Sequence, residues 1–200
     1  PETMRIPYDE AEHTDEADHR HEHGSSNGHF WSDPNVVKAI LPELVNRLCA
    51  LDPEGTAAYK SNAAQFAEDL DDLDNELKSA FANLDARPVL MFHPSWTYFM
   101  KRYGLKIAGM VEPFPGKEPT PKFLKSLIDT AKEQRVRAVF TEPQLPRRPA
   151  EVIAEACGLD LFELDPNGGV EGRRTYRELI EYNAAMLKKA LQSAFPPSKP

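Results

Sequence analysis

Apolar residues recur at helical spacing through Val36, Val37, Ile40, Leu41, Leu44, Val45 and Leu48. That spacing predicts a helix with one apolar face. Asp33-Pro34 supplies its start, an Asp that can accept from the first free N–H groups and a Pro whose fixed φ suits the first turn. Pro42 falls inside the pattern and is expected to kink the helix or divide it in two. Asp52-Pro53-Glu54 marks a second start of the same kind, opening a long helix to about residue 84. Ala57, Ala64, Phe66, Ala67, Leu70, Leu73, Leu77 and Phe81 form its apolar positions. Glu68, Asp69, Asp71, Asp72, Asp74 and Glu76 load the other face. A helix of about 30 residues spans roughly 45 Å, long enough to bridge two lobes.

After residue 86 the period changes. Short apolar strands are predicted at Pro88–His93, Leu105–Val111, Arg137–Thr141 and Leu161–Leu164. Helices are predicted between and after them, at Trp96–Tyr103, from Thr120-Pro121 to about Gln134, at Pro149–Cys157, and from Thr175 to about Ser193. Strand and helix in strict alternation imply an α/β fold with a parallel sheet covered on both faces. Ligands bind such sheets beyond the carboxyl ends of the strands. Four polar side chains follow those ends: His93, Glu112, Glu142 and Asp165. The Pro-rich residues 196–200 read as an unstructured tail.

Charge changes the picture at the other end of the chain. Residues 9–23 carry seven acids against one base, a balance of −6 within a total of −8. Residues 1–28 as a whole are polar and cannot bury enough apolar surface to offset ordering, so most of that stretch is expected to be a mobile loop. An acidic chain without a basic patch argues against nucleic acid and for a cation as partner. The two cysteines, Cys49 and Cys157, form no C-x-x-C motif. Two buried free thiols are expected, with a disulfide between them the other possibility. No apolar run is long enough to cross a bilayer, and the first residues lack the features of a signal peptide.

Six histidines occur, four of them (His13, His19, His21 and His23) in the acidic loop. His19-x-His21-x-His23 is a spacing that chelates zinc or copper weakly, or simply part of a solvated charge run. His29, in Gly28-His29-Phe30-Trp31-Ser32-Asp33-Pro34, and His93, in Met91-Phe92-His93-Pro94, each sit beside an aromatic residue and close to a proline. Neutral imidazole is the commonest side-chain ligand of zinc; a hydrogen-bonded structural histidine is the competing reading. Asp165, in Leu164-Asp165-Pro166-Asn167-Gly168-Gly169, reads alone as a turn-forming Asp and, at the sheet edge, as a candidate ligand. Glu142 reads first as a group orienting a ligand histidine. Glu112 is a weaker candidate. No Gly-x-Ser-x-Gly elbow and no glycine-rich phosphate loop occur, so nucleophilic catalysis and nucleotide binding find no support. Trp31, Trp96 and Tyr98 are expected to pack in the core.

Taken in order, the motifs resemble a known family. They are the His-x-Trp-x-Asp-Pro turn, the long helix after Asp-Pro-Glu, Phe-His-Pro-x-x-x-Tyr-Phe, Glu-Pro-x-Pro, Phe-x-Glu-Pro-Gln and Leu-Asp-Pro-x-Gly-Gly. Over residues 29–193 the series looks like the metal-specific solute-binding proteins of bacterial ABC transporters, in particular those of high-affinity zinc uptake. The resemblance implies two α/β lobes joined by one rigid helix, with the metal between them. Residues 1–50 would be the end of the N-terminal lobe with the His- and acid-rich loop at 9–28, 51–86 the linking helix and 87–200 the C-terminal lobe. It implies His29 as a ligand from the first lobe, and His93 and Asp165 as ligands from the second. The loop histidines would be accessory groups that collect or sense zinc. Imidazole where manganese-binding relatives tend to carry a carboxylate favours Zn²⁺ over Mn²⁺.

The resemblance further implies a carrier, not an enzyme. It would work as a monomer outside the cytoplasmic membrane, periplasmic or membrane-anchored, and deliver its ion to an ABC transporter permease. The family carries a further stretch ahead of this one, with another His ligand and an export signal, so the sequence is expected to be a piece lacking its N-terminal part. The alternatives are a manganese- or iron-binding member of the same family, a zinc-dependent hydrolase with Glu142 nominated as base, and a zinc-buffering or adhesion protein in which the loop is the working part.

Overall fold

The computed structural model describes residues 27–84, 87–113, 116 and 118–193. The accessory loop of His13, His19, His21 and His23 and the tail at 194–200 lie outside the described residues. Two long helices come first, α1 (Pro34–Leu51) and α2 (Thr56–Phe81), and they pack on each other. The Asp33 side chain accepts from the Asn35 N–H and so caps α1. Of the two outcomes expected for Pro42, a division does not occur: α1 runs as one helix through it. Pro42 is exposed, so its missing hydrogen bond leaves the Lys38 carbonyl where water can reach it. The start of α2 also differs from the prediction. Asp52-Pro53-Glu54 forms the turn ahead of the helix, where the Asp52 carboxylate accepts from the Gly55 N–H and the Tyr59 hydroxyl. At 26 residues, α2 is about 39 Å long, shorter than the 51–86 expected of a linking helix.

Strands β1 (Val89–Met91), β2 (Ile107–Met110), β3 (Ala138–Thr141) and β4 (Asp160–Glu163) form one sheet in the order β2-β1-β3-β4, all parallel. The crossovers are α3 (Thr97–Arg102), α4 (Pro121–Glu133) and α5 (Arg148–Cys157), and α6 (Tyr176–Gln192) closes the fold. The sheet is covered on both faces because its strands alternate sides. Val89, Met91, Ala138 and Phe140 turn to a core shared with Leu73, Leu77 and Phe81 of α2, Phe99 of α3 and Ile180 and Leu187 of α6. Leu90, Phe92 and Val139 turn to the opposite core with Leu127 and Ala131 of α4 and Ile153 of α5. Trp96 and Tyr98 are core residues, as expected; Trp31 is half-buried at the small cluster between α1 and α2.

The apolar face of α1 is covered along only part of its length. Val37 and Leu41 are buried with Leu70 of α2, whereas Leu44, Leu48 and Leu51 are exposed. No described helix is long and apolar enough to cross a membrane. Cys49 and Cys157 are half-buried free thiols. Strand order bears directly on function. The chain leaves β1 towards β2 and returns to place β3 on the other side of β1. Between β1 and β3 the connections diverge to opposite sides, which opens a crevice at the carboxyl ends of those two strands.

Candidate metal centre

His93 lies two residues past the crevice end of β1, and Glu142 directly follows β3. Both are nearly out of water, at 8% and 3% exposure. The His93 Nδ1–H donates to Glu142 Oε1 at 2.6 Å, and the Ser95 hydroxyl donates to the same oxygen at 2.7 Å. Glu142 therefore bridges the two strands across the divergence and fixes the plane of the His93 ring. Pro94 starts a 3-10 turn, Pro94–Trp96, immediately after the histidine. It ends the strand there, and the buried Trp96 anchors the turn.

His29 reaches the same place from the N-terminal side. It precedes the 3-10 turn Phe30–Ser32, whose Ser32 N–H and hydroxyl both donate to the His29 carbonyl. Its ring lies 5.2 Å from that of Trp31 and 4.8 Å from that of His93, edge to face at 87°. His29 Nε2 and His93 Nε2 are 3.2 Å apart. Hydrogen bonds tie this segment to the sheet-bearing part of the molecule. The Trp31 indole N–H donates to the Pro166 carbonyl, the Tyr176 hydroxyl to the Trp31 carbonyl, and the Tyr98 hydroxyl to the Asn27 carbonyl. Asn27, expected from sequence to belong to a mobile loop, is 3% exposed and held in place. The residues around it carry no hydrophobic signal, because what orders it is hydrogen bonding to a partner 67 positions away, Pro94.

The tautomers of the two rings follow from their partners. The Asn27 amide donates through Nδ2 to the Pro94 carbonyl, so its Oδ1 faces His29 Nδ1 at 2.7 Å. An amide oxygen can only accept, so His29 carries its proton on Nδ1. Glu142 makes the same demand of His93. The two Nε2 atoms then face each other across 3.2 Å, a place that would suit a shared cation, proton or metal. Two imidazole nitrogens about 2.0–2.1 Å from one tetrahedral zinc stand roughly 3.3 Å apart. The spacing of the two rings is that of a zinc pair.

Asp165, just past the end of β4, is engaged with other partners. Its Oδ1 accepts from the Gln144 amide and from the Asn167 and Gly168 N–H groups, the arrangement of a turn-forming Asp. Its Oδ2 lies 2.8 Å from Arg173 Nη1, within ion-pair distance though Nη1 lacks hydrogen-bond alignment. Burial opposes ionisation of this carboxyl, but the Gln144 and backbone hydrogen bonds and the Arg173 charge outweigh it, holding the group below its ordinary pKa. Glu112 is turned to its own loop, accepting from the Gly116 N–H. Among the described residues, no group of three or more His, Cys, Asp or Glu side chains is arranged to hold a metal. What the fold brings together is the pair His29 and His93, with Glu142 behind His93.

Burial, with a smaller contribution from the neighbouring His93, lowers the His29 pKa from 6.5 to about 4. In the unfolded chain this ring takes up a proton near pH 6.5, whereas the folded ring resists until about 4. Stability attributable to His29 is therefore complete above about pH 6.5 and falls as the pH drops towards about 4. Asp74 acts in a lower window. Burial raises it, but hydrogen bonds from Arg102, Lys78 and Tyr103 bring it down to about 2 from 3.8, so its contribution is lost as the pH falls through that lower range. Urea unfolding of the metal-free chain should show stability falling between about pH 6.5 and 4, with a shallower slope in His29→Gln. Equal slopes in the two proteins would mean that the ring is not desolvated.

Known proteins share this architecture. Residues 3–190 match the family described as ZnuA, zinc-uptake complex component A, periplasmic. The high-affinity zinc uptake system protein ZnuA of Brucella abortus (strain 2308) is 31% identical over 165 residues, 82% of this chain and 49% of the relative. A crystal structure of ZnuA matches with a TM-score of 0.76 at 32% identity, covering 86% of this chain and 62% of that one. A ZnuA deletion mutant solved with zinc bound matches at 0.73 and 31% identity, over 85% and 63% of the two chains. The chain thus spans about half the length of the curated relatives it matches.

Proposed function

We propose that this chain, which belongs to the ZnuA family of periplasmic zinc-uptake components, captures Zn²⁺ and hands it to an ABC transporter permease without doing chemistry on it. The observation that carries the reading is the pair of Nε2 lone pairs of His29 and His93 facing each other at 3.2 Å, each aimed by a partner on its own Nδ1. Imidazole donors favour zinc over the harder manganese. His29 and His93 serve as ligands, and Glu142 orients His93. Asp165 becomes a third ligand by giving up Arg173, one of two oxygens changing partner while the other stays bound to its turn. His13, His19, His21 and His23 act as an accessory collecting segment. Helix α2 links this sheet-bearing lobe to an N-terminal lobe, and the protein works as a monomer outside the cytoplasmic membrane, with no nucleic-acid partner.

Support for a carrier over a hydrolase comes from Glu142. Its Oε1 is occupied by His93 and Ser95, which suits a ring-orienting group better than a free base. The test is a competitive titration of the chain with zinc and manganese against a chromogenic chelator, beside His29→Ala and a deletion of residues 9–28. Zinc should bind more tightly than manganese. His29→Ala should weaken it by at least about tenfold, about 1.4 kcal/mol. The deletion should retain the tight site. Manganese binding as tightly as zinc, or loss of all zinc binding on deleting the loop, would replace this reading with the manganese or loop-centred alternative.

A further inference from the structure

Asn27 is a neutral polar residue that the family reading gives no task, yet the fold has buried it and engaged nearly every polar atom it owns. Its Nδ2 donates to the Pro94 carbonyl at 2.7 Å. Its carbonyl accepts from the Tyr98 hydroxyl at 2.8 Å. Its Oδ1 accepts twice, from the His29 N–H at 3.0 Å and from His29 Nδ1 at 2.7 Å. The side chain therefore touches both histidine segments at once. It holds the residue after His93 with one end and the backbone and ring of His29 with the other. Because Nδ2 must face a carbonyl, the amide cannot turn round to offer a donor to the ring.

We propose that Asn27 is the positioning residue that locks His29 in its Nδ1–H tautomer and so presents Nε2 to the metal, an inference that rests on the zinc-carrier reading above. A neutral imidazole free in water favours the opposite tautomer, with the proton on Nε2. In that form His29 would point an N–H at the place where the cation sits. The amide oxygen reverses the preference locally, and the Asx-type bond to the His29 N–H fixes the turn from which the ring projects. The division of labour between the rings also follows. His93 is backed by a carboxylate and His29 by an uncharged amide. A carboxylate partner raises the basicity of a ligating imidazole more than an amide does. His29 is thus the weaker donor of the pair, with its position set as firmly but its hold on the metal lighter.

The test reads the ring and the metal separately. Long-range ¹⁵N–¹H correlation spectra of the metal-free chain at neutral pH report the tautomer of His29. Chelator competition reports zinc affinity. In the wild type, His29 should be Nδ1–H. In Asn27→Ala it should move towards Nε2–H, and zinc affinity should fall about tenfold or more, the range for a lost partner of a ligand histidine. Asn27→Asp, which keeps an acceptor at the ring, should keep the Nδ1–H form and bind zinc at least as tightly as the wild type. An Nε2–H wild-type ring overturns the proposal, even if Asn27→Ala fails to fold. So does an unchanged tautomer in Asn27→Ala, whatever happens to zinc, and so does a loss of zinc in Asn27→Asp equal to that in Asn27→Ala. An Asn27-dependent tautomer in a wild-type chain that binds zinc no better than a peptide of residues 9–28 would instead sink the carrier reading and leave the role of Asn27 standing.

Discussion

Replacing His93 with alanine is expected to weaken zinc binding by roughly a hundredfold or more, about 2.7 kcal/mol. Two losses add. The Nε2 donor itself disappears, leaving His29 Nε2 with a gap where its counterpart stood 3.2 Å away. The second loss falls on Glu142. Its Oε1 keeps only the Ser95 hydroxyl, and a carboxylate at 3% exposure is left short of a donor, a cost of about 1–3 kcal/mol to the fold. His93→Ala should therefore lower both zinc affinity and metal-free stability. Chelator competition and urea unfolding separate the two. Glu142→Gln tests the coupling, since an amide can still accept from His93 Nδ1 but supplies no charge; it should cost zinc affinity less than His93→Ala does. A His93→Ala chain that binds zinc within about threefold of the wild type, less than 1 kcal/mol, would remove His93 from the site, and with it the case for this edge of the sheet.

The largest effect on stability is expected at Phe99, which is wholly buried on α3. Its ring meets three others, lying edge to face with Phe81 of α2 at 5.6 Å and with Trp96 at 5.8 Å, and tilted against Tyr103 at 4.5 Å. Phe99→Ala should destabilise by about 3–5 kcal/mol, the transfer of a benzyl group plus the cavity left behind. Against a domain stability of roughly 5–15 kcal/mol, that is enough to lower the urea midpoint severely. Leu44→Ala is the control. Leu44 lies on the apolar face of α1 but is 48% exposed, and its loss should stay within about 0.5 kcal/mol. A Phe99→Ala cost of less than about 1 kcal/mol, far under the usual range for a buried ring, would mean that α3 and α2 are not packed as described. Phe99 makes no contact with the two site histidines among those described, so the folded fraction of Phe99→Ala should keep wild-type zinc affinity.

The strands and helices after residue 86 fall within a few residues of their predicted bounds because their signals are local. Period-2 and period-3.6 apolar patterns, the Thr120 and Thr175 caps and the glycine at 158, whose φ of +66° ends α5, each act within one turn of the chain. The departures are also local in origin. Asp52-Pro53-Glu54 has the form of a helix start but is spent on a turn, with Tyr59 closing it. Pro42 interrupts a helical pattern, yet an exposed face tolerates the missing bond.

The candidate site divides along the same line. Alternation of strand and helix puts His93, Glu112, Glu142 and Asp165 at the carboxyl ends of four parallel strands, and the ordered motifs tie His29 to them. Position after a strand does not by itself say which of these groups meet, because each follows its strand in the same way. Strand order does so, putting β1 beside β3 and so His93 beside Glu142, while the loops after β2 and β4 turn Glu112 to Gly116 and Asp165 to Gln144 and Arg173. Asn27 escapes a reading of the sequence for the same reason. The sequence by itself determined the α/β class, the elements after residue 86 and the list of polar groups at the sheet edge, all consequences of periodicity and short-range capping. Only the tertiary structure decided which groups meet and which ring nitrogen each histidine presents. Side chains that meet across 49, 64 and 67 positions leave no trace in local pattern.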